Sequence, residues 1–325
     1  MRHPLVLGLI ALCTAAACFF APAQAQTQNY PSRPVTLIVP YPAAGATDIV
    51  ARLLAEHLKS AWKQPVLIDN RPGANAMVGV LAVARAAPDG HTLLLTGSSL
   101  SSYKALLKNP QVDPERELAP ISLVFVVPVV LVVSAQTPIA SLSEFISYAR
   151  ARLGKLNYAT LGGGNLLTAE TFNQLAGING TRVAYKGEPL AALALSRDEV
   201  QFAFLSPNAV RTLVQTGKVR ALALSTAGAR SRVLPDVPTS MEAGLKGLDQ
   251  AAWFGVLAPA NTPDEIRRKV ARDIGVFVSQ PEVQARLTQL GIDPVSNSPE
   301  EFSKMITVET DKYGQVARNA GLEPE

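Results

Sequence analysis

The sequence predicts an α/β protein of two units, each a mainly parallel sheet flanked by helices, joined by two crossover strands. Three observations carry this. Short β-branched runs alternate with stretches of helical period, the pattern of βαβ crossovers. The alternation halts at one long apolar strand between Pro120 and Ser134 and then begins again. The 325 residues, 48% hydrophobic and 17% charged, supply core enough for about two domains.

In the first unit, Val35 to Val39 is a β-branched run ended by Pro40, hence a buried strand. The small-residue segment Pro40-Tyr41-Pro42-Ala43-Ala44-Gly45-Ala46 is a loop. A helix starts near Thr47 or Asp48, because Ile49, Val50, Leu53, Leu54, Leu58 and Trp62 recur at helical spacing. Val66 to Ile68 is the next strand. Ala76 to Ala86 is a helix stopped by Pro88-Asp89-Gly90, and Thr92 to Leu95 is a third strand ending in Gly97-Ser98-Ser99.

In the second unit, Ser141 with Glu144 forms a capping box for a helix to Arg152. Leu156 to Thr160 is a strand, Gly162-Gly163-Gly164 a loop and Leu167 to Ala176 a helix. Strands follow at Arg182 to Tyr185, Val200 to Leu205 and Val219 to Ser225, separated by helices near Pro189 to Leu195 and Pro207 to Gln215. Trp253 to Leu257 returns the chain to the first unit. Thr262-Pro263-Asp264-Glu265 and Ser298-Pro299-Glu300-Glu301 each open a helix with an N-cap, a proline at the first position and a capping-box glutamate. The expected division is residues 26–128 with 253–325, and residues 129–252.

Arg2, the uncharged apolar run Leu5 to Phe20 and Ala23-Gln24-Ala25 read as a secretory signal peptide cut after Ala25. Cys13, Cys18 and His3 would leave with it, so no disulfide framework or zinc motif is expected of the mature chain. No metal and no cofactor is required by any motif. The net charge of +4 comes without a run of basic residues, which excludes a nucleic-acid footprint and mildly favours an anionic small molecule. The apolar stretch Ile121 to Val133 contains Pro128 and is short of the roughly 20 residues a membrane span needs.

Catalytic signatures fail. G-x-S-x-G and H-E-x-x-H are absent, and Gly162-x-Gly164 lacks the third glycine of a dinucleotide fingerprint because Leu167 stands there. What remains is a set of strand-to-helix loops rich in small residues. Tyr41, Pro42, Ala43, Ala44, Gly45, Ala46, Thr47 and Asp48 form the first, where backbone N–H groups and a helix N-terminus suit a carboxylate. Asp48 either complements the helix dipole or orients this loop or a bound water. Gly97, Ser98 and Ser99 offer hydroxyls at a strand end. Thr160, Leu161, Gly162, Gly163, Gly164 and Asn165 form a glycine loop that lets a ligand approach. Leu205 and Ser206 end another strand before a helix. None of these loops contains an arginine, so a charged ligand would be held by backbone dipoles, hydroxyls and water. Two open α/β sheets facing one another place their ligand in the cleft between them.

The residues also resemble a known family. Tyr30-Pro31-Ser32-Arg33-Pro34-Val35, Pro40-Tyr41-Pro42 with Gly45 and Thr47-Asp48, and Asn70-Arg71-Pro72-Gly73-Ala74 are similar to the Bug proteins. Ala84-Arg85-Ala86-Ala87-Pro88-Asp89-Gly90, Tyr185-Lys186-Gly187, Pro235-Asp236-Val237-Pro238-Thr239 and Trp253-Phe254-Gly255 continue the likeness in family order across the mature chain. Bug proteins are periplasmic solute receptors of tripartite tricarboxylate transporters. The resemblance implies a two-domain periplasmic binding protein of Venus-flytrap form, a monomer that captures a small organic acid and delivers it to a membrane permease. It implies that the loop 41–48 cradles a carboxyl end, while Thr160 to Asn165, Tyr185, Leu205 and Ser206 read the other end. The chain departs from the family where Ala43, Ala44 and Ala46 replace glycines, where the glycine loop is shorter, and where Leu205 replaces an aspartate. The last departure is read as disfavouring an amino-acid ligand. Two other functions are carried: a ligand-sensing partner of a sensor kinase, and an exported hydrolase whose turnover would depend on Ser98 or Ser99.

Overall fold

A computed structural model describes residues 30–226, 228 and 230–324. The signal segment, its cleavage after Ala25, Cys13 and Cys18 lie outside the described residues. No helix among the described residues is long and apolar enough to cross a membrane.

The first unit opens with β1 (Val35–Val39), α1 (Ala46–Trp62), β2 (Val66–Asn70), α2 (Met77–Ala84) and β3 (Thr92–Gly97). β1 pairs in parallel with β2 and with β3, as βαβ crossovers require. Val50, Leu54, Leu58 and Trp62 put one apolar face of α1 on the sheet, and Lys63 in the left-handed conformation ends the helix. The strand end Gly97 leads into a 3₁₀ turn, Ser98–Ser102, and the short helix α3 (Tyr103–Leu106), where a loop was expected.

After α4 (Pro114–Glu117), the long apolar strand proves to be two. β4 (Leu118–Val127) belongs to the first sheet and β5 (Val130–Ser134) to the second, with Pro128-Val129 between them. Proline has no N–H to give to a ladder, so the break falls there. The second unit continues with α5 (Leu142–Arg150), β6 (Asn157–Thr160), α6 (Gly163–Ala176), β7 (Thr181–Ala184), α7 (Glu188–Ser196), β8 (Phe202–Leu205), α8 (Pro207–Gln215) and β9 (Val219–Leu224). The chain then returns through β10 (Ala252–Pro259) to α9 (Asp264–Ser279), α10 (Pro281–Gln289), β11 (Asp293–Pro294) and α11 (Pro299–Asn319).

The sheets run β11-β4-β10-β3-β1-β2 and β7-β6-β8-β5-β9. Both are mixed, so the expected parallel pairing holds only for the βαβ parts. β10 is antiparallel to β3 and β4, and β5 is antiparallel to β8 and β9. These are the strands on which the chain enters or leaves a unit, so no crossover helix sets their direction. Helices cover both faces of each sheet. α1 and α9 bury Leu54 and Val270 on one face of the first sheet, and α2 and α11 bury Val80 and Phe302 on the other. α5 and α6 cover one face of the second sheet with Phe145 and Phe172, and α7 and α8 the other with Leu195 and Val210.

Local capping signals were read correctly at Ser298, whose hydroxyl and Glu301 form a complete capping box. At Ser141 the hydroxyl accepts from Glu144 N, but the Glu144 carboxylate accepts from Ala140 N instead of closing the box. Thr262 is not an N-cap. Its hydroxyl donates to Pro259 O, and Pro263 is the capping position. The sequence reading missed α10, although Gln280-Pro281-Glu282 carries a proline and an acid at a helix start. α11 touches both units. Phe302 and Ile306 pack on the first sheet, while Tyr313, Val316 and Ala317 pack with Leu167 of α6, and Gln174 Nε2 donates to Val316 O at 2.9 Å.

Candidate functional site

A cavity of about 390 Å³ lies between the two sheets, lined from one side by Ala46, Ser98 and Phe254 and from the other by Leu161, Gly164, Asn165 and Ser206. Gln250 to Ala252 and Tyr313 also line it, from the returning segment and from α11.

The first loop meets the cavity only through Ala46. Pro42, Ala43, Ala44 and Gly45 form an exposed turn, and Thr47 and Asp48 are buried behind it. Asp48 explains how the turn is held. Its Oδ2 accepts from Ala44 N and Arg52 Nε, both at 2.9 Å, and its Oδ1 accepts from Asn70 Nδ2 at 2.9 Å and from Arg52 at 3.1 Å. Of the readings left open for Asp48, this geometry matches orientation of the loop. Burial raises its pKa, but the hydrogen bonds from Arg52, Ala44 and Asn70 outweigh burial and hold the carboxyl below its ordinary range. Its stabilisation is therefore present above the ordinary aspartate pKa and is lost as pH falls through the lowered one. Asp48→Ala is expected to cost about 2 kcal/mol, the scale of hydrogen bonds to a charged group. That corresponds to roughly 3 °C of melting temperature, checked by a thermal melt.

Tyr41 lies one layer back. Its hydroxyl accepts from Gly97 N at 3.0 Å, and its ring meets Phe254 edge-on at 5.9 Å. Gly97 has to be glycine here, since a Cβ would come within 2.8 Å of the Phe254 ring. Ser98 reaches the cavity. Ser99 sits behind it, its carbonyl accepting from the Ser102 hydroxyl.

In the second unit the glycines belong to a helix start. Gly162 is the N-cap of α6, with Gly163 and Gly164 its first two residues. Gly162 and Gly163 have φ of 78° and 50°, a conformation that only glycine adopts freely. Gly164 lines the cleft, while Thr160, Gly162 and Gly163 line a separate cavity of about 630 Å³ that also touches Arg182 and Leu322. Asn165 secures the turn by accepting from Leu161 N and donating to Phe204 O. Two helix N-termini thus meet in one cavity, at Ala46 of α1 and Gly164 of α6, and neither N-cap glycine offers a side chain to the first-turn N–H groups. Such donors suit an anion.

Two residues named from the sequence lie elsewhere. Leu205 is buried among Val130, Val132 and Leu224 in the core of the second sheet. Tyr185 packs against the same core, and its N–H donates to Thr160 O. The carboxylate on the cavity wall is Glu188, which accepts from the Ser206 backbone N–H at 2.6 Å and hydroxyl at 2.7 Å. The argument from Leu205 against an amino-acid ligand loses its footing, because that side chain does not reach the cavity. Glu188 is the single charged side chain among the described residues that line it. Sequence reasoning missed Glu188, Thr168, Gln250, Phe254 and Tyr313. A signal existed for Glu188, beside Lys186-Gly187 at a helix start, and for Phe254 in a noted motif, but none for Gln250.

Below the cavity floor, Glu309 accepts from Trp253 Nε1 at 2.6 Å and from the Tyr313 hydroxyl at 3.2 Å. Burial pushes its carboxyl above the ordinary value of 4.5, against the pull of Trp253, Ser101, Tyr313 and Lys312. The folded chain therefore holds this proton at pH values where the unfolded chain has lost it. Stability is expected to fall as pH rises from about 4.5 through the raised folded pKa. Glu309→Gln should flatten that decline in urea melts taken at several pH values. The two histidines of the described residues stand away from the cavity, His57 against Gln280 and His91 beside Asp89.

Comparison with known proteins adds the following. Residues 50–322 match the family model described as the tripartite tricarboxylate transporter family receptor. Protein BugT of Bordetella pertussis is 33% identical over 99% of each chain. Among solved structures, a Rhodopseudomonas palustris protein with adipate, Rpa4515, is 31% identical, with a TM-score of 0.74 over 91% of this chain and 100% of its own. MatC from Rhodopseudomonas palustris, with bound malate, is 32% identical, with a TM-score of 0.71 over 89% of this chain and 100% of its own.

Proposed function

We infer the function from a plain premise: this chain belongs to the tripartite tricarboxylate transporter receptor family, whose members are periplasmic solute-binding receptors of two-sheet α/β form. The chain captures a small organic carboxylate in the cavity between its two sheets and delivers it to a permease of tripartite tricarboxylate type. It acts in the periplasm, as a monomer, after loss of the segment ending at Ala25. Residues 26–128 with 253–325 form one lobe and 129–252 the other, a division supported by the membership of the two sheets.

The observation that carries this reading is the meeting of two uncapped helix N-termini at Ala46 and Gly164. Their N–H groups and dipoles supply positive potential without a cationic side chain, so a carboxylate is held while full dehydration of a lysine or arginine is avoided. Two carboxylates, adipate and malate, accompany the neighbouring structures, which supports the same class of ligand here. The family and the carboxylate-bound neighbours favour a receptor over an exported hydrolase.

The test is a thermal-shift and calorimetric screen of residues 26–325 against mono-, di- and tricarboxylates. A ligand at a hundred times its Kd should add about 2.7 kcal/mol, a rise of several degrees in Tm. Absence of a shift with every carboxylate would overturn the reading.

A further inference from the structure

We propose that Glu188 limits the ligand to a single carboxylate: its own carboxylate occupies the donors that a second one would use, so the far end of the ligand carries no negative charge. This rests on the receptor reading above and names the ligand class within it.

Four helices begin at the cavity wall. α1 and α6 start from glycine N-caps beside Ala46 and Gly164, and no side chain caps their first-turn N–H groups. α7 and α8 begin differently. Glu188 is the first residue of α7, Ser206 is the N-cap of α8, and both line the cavity. Glu188 Oε1 accepts from Ser206 N at 2.6 Å, and its Oε2 accepts from the Ser206 hydroxyl at 2.7 Å. The Ser206 oxygen in turn accepts from Ala209 N at 3.4 Å. A backbone N–H and a serine hydroxyl at a helix start are donors suited to a ligand carboxylate. Here the chain supplies that carboxylate itself.

The rest of the wall does not compensate for this charge. Among the described residues that line the cavity there is no lysine or arginine. The Thr168 hydroxyl gives its hydrogen to Gly164 O, and the Tyr313 hydroxyl donates to Glu309. A second ligand carboxylate would therefore meet a like charge in a partly dehydrated cleft, with no cation beside it. An amide, ester, alkyl or aryl group in the same place carries no such penalty. Nor is a cationic ligand required, since each oxygen of Glu188 already has a donor.

The experiment is calorimetry at neutral pH on residues 26–325 with four dicarboxylates, succinate, glutarate, adipate and terephthalate, each against its half-amide and its half-methyl ester. Both neutralised forms keep one carboxylate, and the ester adds no donor. In every set that binds, both forms should bind about tenfold tighter than the dicarboxylate or better. Glu188→Gln keeps the shape and an acceptor for the Ser206 N–H. It should bring the ratios towards one, chiefly by improving the dicarboxylate. If that variant does not fold, the ratios of the unmodified chain decide the matter alone. Dicarboxylates that bind as tightly as their half-esters would overturn this inference and leave the carboxylate receptor standing. A gain seen with the half-amides alone would overturn it too, because a donor and not the charge would then be selected. Ratios unchanged in Glu188→Gln would also overturn it. Binding of none of these acids in any form would remove the receptor reading and this inference together.

Discussion

Gly164→Phe is expected to abolish ligand binding while leaving the fold intact. Gly164 is the second residue of α6, and its φ is not among the positive values of this chain, so its backbone accepts a side chain without strain. A Cβ there would stand 3.5 Å from the Tyr313 hydroxyl and 3.7 Å from Ser98 Oγ, which are ordinary contacts. A phenyl ring beyond that Cβ has nowhere to go but the 390 Å³ cavity between the sheets. Affinity should fall by at least a hundredfold, which is about 2.7 kcal/mol, and Tm without ligand should move by no more than about 2 °C. Gly164→Ala should lose far less. Calorimetry of both variants against the best ligand of the screen checks this. Undiminished binding to Gly164→Phe would place the ligand elsewhere.

The largest loss of stability is expected at Gly255. It lies on β10, between β3 and β4 in the middle of the first sheet. A Cβ there would stand 2.4 Å and 2.6 Å from Phe302 ring atoms and 2.9 Å from Ser122 O. The carbonyl belongs to the neighbouring strand and cannot swing aside. Phe302 is itself fully buried, edge-on to Trp253 at 5.2 Å. Overpacking at such a site costs about 3 kcal/mol, so Gly255→Ala should melt roughly 5 °C lower. The double variant Gly255→Ala with Phe302→Leu should recover part of the loss. Calorimetric melting of the two variants makes the comparison, and an unchanged Tm for Gly255→Ala would refute the packing argument.

The comparison of sequence with structure turns on the range over which each feature is encoded. The helix over Ala46–Trp62 was legible because its apolar residues repeat at helical spacing, and the helix from Pro299 because Ser298 and Glu301 cap it within one turn. The loops at Ala46, Ser98, Gly164 and Ser206 were legible as cavity-lining because strand ends before helices converge in open α/β sheets.

Leu205 shows where that legibility ends. All four residues of β8 are buried, Phe202 and Phe204 under one layer of helices and Ala203 and Leu205 under the other, so neither face of the strand opens to the cleft. The sequence reading placed the end of the strand in the cavity, whose wall begins one residue later, at Ser206. Glu188 was passed over because its part is played against Ser206, eighteen residues further on. Gln250 gave no local sign, since its side chain is held by Thr171, 79 residues earlier.

By itself, then, the sequence determined the α/β alternation, the two chain crossings and the strand-end loops, because each is written in spacing and punctuation over a few residues, while its motifs taken together carried the resemblance to the family. Tertiary structure alone decided which of those loops reach the cleft, that both sheets are mixed, and that the cleft wall carries Glu188 and Gln250. These depend on which strands become neighbours and on where each strand end stands relative to the cavity. That is settled by packing between residues far apart in the chain, and no local pattern records it.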